Sequence, residues 1–210
     1  MKPRFPYPGH YYVSQIYTPT HNGWDIVPLD KPHGNHWLAP IFPVLGGKTL
    51  SIANSDPAKG KGIKVRTMLT IPFIKYLADK GYPNVKYLDI LYWHALFVTD
   101  FDGTIHQNEP VAITGNTGYV VAGGVPVPDY QKGVPNYPGL HLHLQMETDR
   151  YGRIDPEIIF NYQGDSMGQF KTQKKGEELR IVLQADTIEN WKELCKVYGV
   201  DPSQIDETVS

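Results

Sequence analysis

Two short stretches of the 210-residue chain hold side chains whose types and spacing suit metal chemistry: "HNGWD" at 21–25 and "GLHLHLQ" at 139–145. His21 and Asp25 bracket Gly23, and a residue without a side chain lets the backbone turn sharply enough to aim both at one point. His141 and His143 are two apart in an alternating apolar pattern, so both point to one face of a strand. Two imidazoles sharing a face are desolvated together unless something binds them, and zinc binds a neutral ring nitrogen at about 2.0–2.1 Å. One histidine of this pair, with His21 and Asp25, makes three ligands of N and O type. Three ligands leave a fourth zinc position for water, as in catalytic rather than structural sites.

A fifth residue belongs with these four. His94 interrupts the apolar run "LYWHALFV", where an unpaired imidazole is unfavourable, and the histidine of the "HLH" pair not bound to metal is its natural partner. The remaining histidines, His10, His33, His36 and His106, have no comparable pairing and read as ordinary surface or core residues. Gly115 and Gly118 in "GNTG" read as a tight turn, since no helix start follows them to cradle a phosphate.

The elements that must position these residues are mainly strands. Eighteen prolines, twenty glycines and fourteen tyrosines favour many short elements joined by turns. Residues 1–20 read as an extended arm and edge strand; "HWLAPIFPVLGG" and "KTLSIA" read as strands; "NSDPAKGKG" reads as a hairpin loop before "IKVRTML". "IPFIKYLADKG" breaks the pattern as a short helix, with Pro72 at its start, Phe73, Ile74, Leu77 and Ala78 at helical spacing, and Gly81 at its stop. "VKYLDILYWHALFV" reads as one central strand, residues 120–138 as a long loop without elements, and "HLHLQM" as a strand with one buried face. From 164 a linker is expected, then a strand and a helix in which Cys195 is buried beside Trp191 and Tyr198. The expected division is a main domain over 1–163 and a C-terminal appendage over 164–210.

A hydrophobic fraction of 40% lets the chain bury a full core. The formal net charge of -2 gives no general attraction to nucleic acid or acidic membranes, and "KTQKKG" is too short a basic knot to change that. A single cysteine forbids an internal disulfide. No segment approaches the length of a membrane span, and "MKPRFPYPGHYY" lacks the apolar run of a signal peptide. A monomer without a nucleic-acid partner and without a membrane span is expected.

"HNGWD", "YWHAL", "GNTGY", "GLHLHLQ" and "DPEIIF", in that order, resemble the motifs of the lysostaphin-like, or LytM-type, zinc endopeptidases that cleave peptide bonds in bacterial peptidoglycan. The resemblance spans roughly residues 15–160. It implies a small antiparallel β-sheet whose loops wall a groove over one zinc ion, with His21, Asp25 and His143 as ligands. It implies His141 as catalytic base, with His94 beside it as the second catalytic imidazole, and metal-activated water attacking the peptide carbonyl. Tyr12 or Tyr17, upstream of the first ligand, is a candidate neighbour of the oxyanion. The substrate implied is a cross-link or stem peptide of the cell wall, reached outside the cytoplasm or in the periplasm, with phage delivery as one route for a chain without a leader. The C-terminal residues resemble part of a LysM cell-wall-binding repeat, but the order of elements is incomplete and a packed helix fits them better.

This chain departs from the family pattern in four ways. The stretch between Asp25 and His94 is longer, with the helix near 72–80 as the insertion, and residues 120–138 intervene where the family has only a few. Gly139-Leu140 stands where a proline usually precedes the first histidine, and Leu144 replaces the usual phenylalanine. The alternative reading is a catalytically silent member of the same fold that binds cell-wall peptide or serves as a virion part. A zinc protease acting on another Gly-rich protein is a third.

Overall fold

The computed structural model describes residues 2–29, 39–99, 103–133, 138–162, 169–175 and 178–184. The first strands are β1 (His10–Gln15), β2 (Trp24–Leu29), β3 (Pro40–Ile41), β4 (Gly47–Asp56) and β5 (Gly60–Met68). Helix α1 (Ile71–Asp79) follows, then β6 (Tyr87–Ala95), β7 (Phe97–Val98), β8 (Thr104–Ile105) and β9 (Ala112–Ile113). The chain continues through β10 (Val121–Ala122), β11 (Val125–Pro126), β12 (Leu142–Thr148), β13 (Gly152–Ile154) and α2 (Pro156–Phe160). Two further strands, β14 (Gln169–Lys175) and β15 (Glu178–Gln184), close the described part.

One large antiparallel sheet runs in the order β14-β15-β1-β2-β12-β6-β5-β4-β8, with β13 also paired to β12. A small sheet of β3, β9 and β7 lies beside it. The mainly β, antiparallel fold expected from the turn-rich composition is the fold observed. Among the described residues no helix is long and apolar enough to cross a membrane.

Alternation fixes which face of the central strands is buried. Leu142, Leu144 and Met146 of β12 pair with Ile26, Tyr92 and Ile90, and all six are fully buried. The intervening residues, His143, Gln145 and Glu147, lie on the opposite face with Asp25, Trp93, Leu91 and Asp89. On that face Arg66 donates twice to Asp89, at 2.7 and 2.8 Å, while Lys64 bridges Asp89 and Glu147 at 3.4 and 3.0 Å. Cross-strand ion pairs therefore tie β5, β6 and β12 together beside the histidines.

The core face is covered by the helices and the N-terminal arm. Helix α1 begins with Pro72 in its first turn and buries Phe73 and Leu77, four residues apart on one side. Phe73 stacks on Tyr162 at a ring separation of 4.1 Å, and the Tyr76 hydroxyl donates to the Ile158 carbonyl at 2.7 Å, so α1 packs onto the end of α2. Phe5 of the arm stacks on Tyr11 and tilts against Phe160, which closes the other end.

Four expectations need correction. The strand foreseen as one piece over "VKYLDILYWHALFV" divides: β6 bulges at His94, which adopts φ +64°, and ends at Ala95, and β7 joins the small sheet. The loop at 120–138 contains a hairpin, β10 against β11, since Gly123 and Gly124 at φ +58° and +81° supply the two left-handed residues of a tight two-residue turn. Of "HWLAPIFPVLGG", the described residues give the short β3 and, at Gly47, the start of β4, and its prolines cannot donate to a ladder. Where a linker was expected after 164, Gln169–Lys175 forms a strand, and its hairpin partner β15 pairs with β1. The C-terminal helix, Cys195, His33 and His36 lie outside the described residues.

Tyr92 ties the core to the loop before β4. Its ring is fully buried, and its hydroxyl accepts the Val44 backbone N–H at 2.8 Å. Replacing Tyr92 by Phe leaves that N–H unpaired in the interior, and should lower stability by about 1–3 kcal/mol in urea unfolding. An unchanged midpoint would show that Val44 finds another acceptor.

Candidate metal centre

His21 enters the site from a tight turn. Its N–H donates to the Thr18 carbonyl at 3.1 Å and to Thr18 Oγ1 at 2.9 Å, while the Thr18 N–H donates back to the His21 carbonyl at 2.8 Å. The ring Nδ1 lies 2.9 Å from the Ile16 carbonyl. A carbonyl can only accept, so Nδ1 carries the proton and Nε2 presents its lone pair to the site. Nε2 lies 3.2 Å from Asp25 Oδ1.

Asp25 and His143 meet because their strands set them directly opposite each other, Asp25 on β2 and His143 on β12. His143 Nδ1 is 2.7 Å from Asp25 Oδ1. One ligand atom each from His21, Asp25 and His143 lies within 4.8 Å of the others. Gly23 allows this approach: a Cβ there would come within 2.5 Å of the Leu144 carbonyl oxygen and 2.9 Å of His143 Nε2.

The donor set suits a divalent cation. Burial alone would raise the Asp25 pKa, but the hydrogen bond from His143, and one from His21 Nε2 once that ring is protonated, outweigh it and hold the carboxyl far below the usual carboxylate range. Burial pulls His21 down, yet the protonated ring gains a hydrogen bond from Nε2 to Asp25 and the attraction of the carboxylate charge, which lift it net above its ordinary value. The metal-free site is thus an anion already attracting positive charge. Two nitrogens and one carboxylate oxygen match the ligand types that zinc accepts. Among the described residues, no other cluster of three or more His, Cys, Asp or Glu is close enough to hold a metal.

His141 and His94 stand next to this cluster. The His141 N–H donates to the Gly115 carbonyl at 3.1 Å, and its Nδ1–H donates to the Gly139 carbonyl at 2.8 Å. Its Nε2 therefore carries a lone pair, 3.7 Å from Asp25 Oδ1. His94 donates Nδ1–H to the Thr117 carbonyl at 2.7 Å, and its ring centre is 4.7 Å from that of His141 and 6.0 Å from that of His143. Burial, reinforced by the neighbouring His141, pushes the His94 pKa down to about 3. Burial also lowers His141. All five residues singled out from the sequence are therefore side by side, with three anionic or liganding groups and two imidazoles held neutral.

Other expected residues fall elsewhere. The Tyr17 hydroxyl is turned to the Arg153 carbonyl at 3.5 Å. Tyr12 opposes Val27 on β2, two residues from Asp25, and so lies on the Asp25 side of the sheet. His10 and His106 are exposed. The residues that sequence reasoning missed act through their backbone: the carbonyls of Ile16, Gly139 and Thr117 each fix one histidine tautomer. Carbonyl direction leaves no trace in residue type, although the motif "GNTG" marked Thr117 as lying in a turn. Asp155 was signalled only by the Asp-Pro motif. It caps α2 by accepting the Glu157 N–H at 3.0 Å and also accepts the Trp24 Nε1–H at 3.2 Å, which ties that helix to the turn bearing His21 and Asp25.

No family model and no curated protein matches the sequence. Among solved structures, the chain is similar to a zinc-containing peptidase from Vibrio cholerae at 16% identity and a TM-score of 0.46, covering 73% of this chain and 39% of that one. It is similar to a mutant catalytic domain of the prophage-encoded M23 protein EnpA from Enterococcus faecalis at 14% identity and a TM-score of 0.43, covering 74% and 94%. It is also similar to a structure of the SpoIIQ–SpoIIIAH pore-forming complex at 14% identity and a TM-score of 0.46, covering 75% and 90%. The chain thus spans about two fifths of the Vibrio cholerae peptidase and most of the other two chains. Structural neighbours include LytM-type peptidases, the family that the sequence motifs resemble.

The geometry gives two expectations. Gly23→Ala forces β2 from β12 where Asp25 faces His143, and zinc affinity measured by calorimetry should fall at least about tenfold, with little change in circular dichroism. An unaltered affinity would mean that the approach of Gly23 to His143 is dispensable.

For His94 and His141 the folded pKa lies below the ordinary value of 6.5. Neither ring costs stability above about pH 6.5; below it the fold loses stability as pH falls, for His94 down to about 3, by at most about 1.4 kcal/mol per pH unit for each group. His21, shifted upward, works in the opposite sense and favours the fold below pH 6.5. Urea unfolding of the metal-free protein should show a smaller loss between pH 7.5 and pH 5 for His94→Asn than for the wild type. Equal losses would mean that His94 is not buried as a neutral ring.

Proposed function

We propose that the chain is a zinc-dependent endopeptidase that hydrolyses peptide bonds in bacterial peptidoglycan, in cross-links or stem peptides. Residues 1–163 are its catalytic domain and 164–210 a C-terminal appendage. It acts as a monomer on the cell wall, outside the cytoplasm or in the periplasm. The observation that carries this reading is the combination of two kinds of group at one point. One ligand atom each from His21, Asp25 and His143 lies within 4.8 Å of the others, and the lone pair of His141 Nε2 stands 3.7 Å from Asp25 Oδ1.

His21, Asp25 and His143 would hold the ion. Bound zinc supplies a water acidified to a pKa near 7 and polarises the scissile carbonyl. His141 accepts the proton of the attacking water at Nε2 and later passes it to the leaving amine nitrogen. The lowered pKa suits the first half of that cycle, because the ring is unprotonated at neutral pH. His94 has its proton on Nδ1, so its Nε2 can accept but not donate in the neutral ring. It is therefore suited to orienting the water and steadying the imidazolium formed on His141, rather than donating to an oxyanion. The carboxylate of Asp25 stabilises that same imidazolium through space.

A protein that only binds cell-wall peptide has no use for an imidazole base held in one tautomer beside the cation ligands. The test is mass spectrometry of fragments released from purified cell walls of several cross-link chemistries, with a chelator control. The zinc-loaded protein should release new amino termini and the chelated protein none. His141→Ala should keep its zinc and lose about 10²–10⁴-fold in rate. Release undiminished by His141→Ala would overturn the assignment of the base, and no release from any wall would favour the silent alternative.

A further inference from the structure

We propose that Thr117 is the positioning residue of the imidazole pair, holding His94 in a left-handed backbone conformation that carries its ring from the core side of β6 to the metal side. The catalytic meaning of this rests on the function proposed above; the conformational statement does not.

The register of the sheet shows that His94 would otherwise point the wrong way. Trp93 opposes His143 and shares its face, whereas Tyr92 opposes Leu144 and is fully buried in the core. A regular pleat continued by one residue would send His94 to the side of Tyr92. At φ +64° the pleat is broken, and the ring instead lies 4.7 Å from His141. A residue with a side chain rarely occupies that region, and persists there only when its surroundings over-determine it.

Thr117 supplies most of that determination. Its carbonyl accepts His94 Nδ1–H at 2.7 Å, its N–H approaches the His94 carbonyl at 3.4 Å, and its hydroxyl donates to the Ala95 carbonyl at 2.8 Å. The same hydroxyl accepts the Lys61 N–H at 2.9 Å, where the pairing of β5 with β6 shifts register. The His94 N–H is taken by the Lys59 carbonyl at 3.1 Å. One side chain thus closes the ladder that the reversal at His94 interrupts, and its own carbonyl sets the tautomer of the ring so displaced. A hydroxyl that donates and accepts at once can be replaced by serine but not by valine, although valine has the same shape.

The test compares Thr117→Val with Thr117→Ser. Valine should lower kcat/KM about 10–100-fold, carried by kcat, with zinc content unchanged, and serine should restore most of the rate. In a His94→Ala background, Thr117→Val should produce no further loss. Nitrogen-15 spectra of the histidine rings should show the His94 Nδ1–H tautomer lost in the valine variant and kept in the serine variant. A valine variant with wild-type kcat and an unchanged His94 spectrum would sink the proposal, as would an equal loss in the His94→Ala background. If wild-type protein hydrolyses no cell wall, the functional reading fails by itself, and the ring spectra still decide the role of Thr117. Should Thr117→Val not fold, Thr117→Ala removes the same hydroxyl with less steric demand and is judged by the same spectra.

Discussion

The pair formed by Asp25 and His143 across β2 and β12 is the contact on which the site depends. Antiparallel pairing sets the two residues face to face and brings Nδ1 within 2.7 Å of the carboxylate. What holds the pair in register is the opposite face of the same strands. Ile26, Leu142, Leu144 and Tyr92 are buried there, and a slip of one residue would exchange that apolar set for the histidine and aspartate. The core and the metal centre are therefore two sides of one register, and neither can shift without the other. The ion pairs of Lys64 and Arg66 with Asp89 and Glu147 add a second, polar restraint on the outer face.

Charge is distributed by position within this frame. The Asp25 charge favours the protonated form of His21, His94 and His141 alike, and burial decides the net direction of each pKa. His21, whose protonated ring hydrogen-bonds to Asp25, is lifted; His141 and His94, deeper and beside each other, are lowered. Backbone carbonyls then assign the protons. Ile16, Gly139 and Thr117 each take an Nδ1–H, so three Nε2 lone pairs are left for other partners. A group of histidines without these acceptors would sample both tautomers, and only one of the two can bind a cation or accept a proton at the nitrogen in question.

Two segments lengthen the chain relative to the motif pattern it resembles, the helix after β5 and the stretch 120–138. Helix α1 fills the core face with Phe73 and Leu77. The hairpin of β10 and β11 stands between the turn at Thr117 and the strand bearing His141. Buried Asn116 clamps the base of that insertion: its side-chain amide donates to the Gln131 and Pro138 carbonyls at 2.9 and 3.0 Å, and its oxygen accepts the Gly133 N–H at 2.7 Å. The "GNTG" turn thus binds the inserted segment with one residue and His94 with the next.

Much of this was legible in the residues themselves. Alternation in "HLHLQM" and the Gly-rich turns announced antiparallel strands, Pro72 and the spacing of Phe73 and Leu77 announced α1, and the order of the motifs singled out five residues that now stand together. These features are local, and local rules of pleat, cap and turn decide them. The break at His94 and the joining of the last hairpin to β1 were not legible, because each depends on partners far along the chain; the hairpin inside 120–138 is local, and its Gly123-Gly124 turn was a signal passed over. The tautomers and pKa shifts lay further out of reach, since they follow from which carbonyl or carboxylate lies beside each ring. The sequence alone determined which side chains could share a cation; the tertiary structure alone decided their distances, their protons and the reversal of His94, because those are set by contacts between residues up to more than a hundred positions apart.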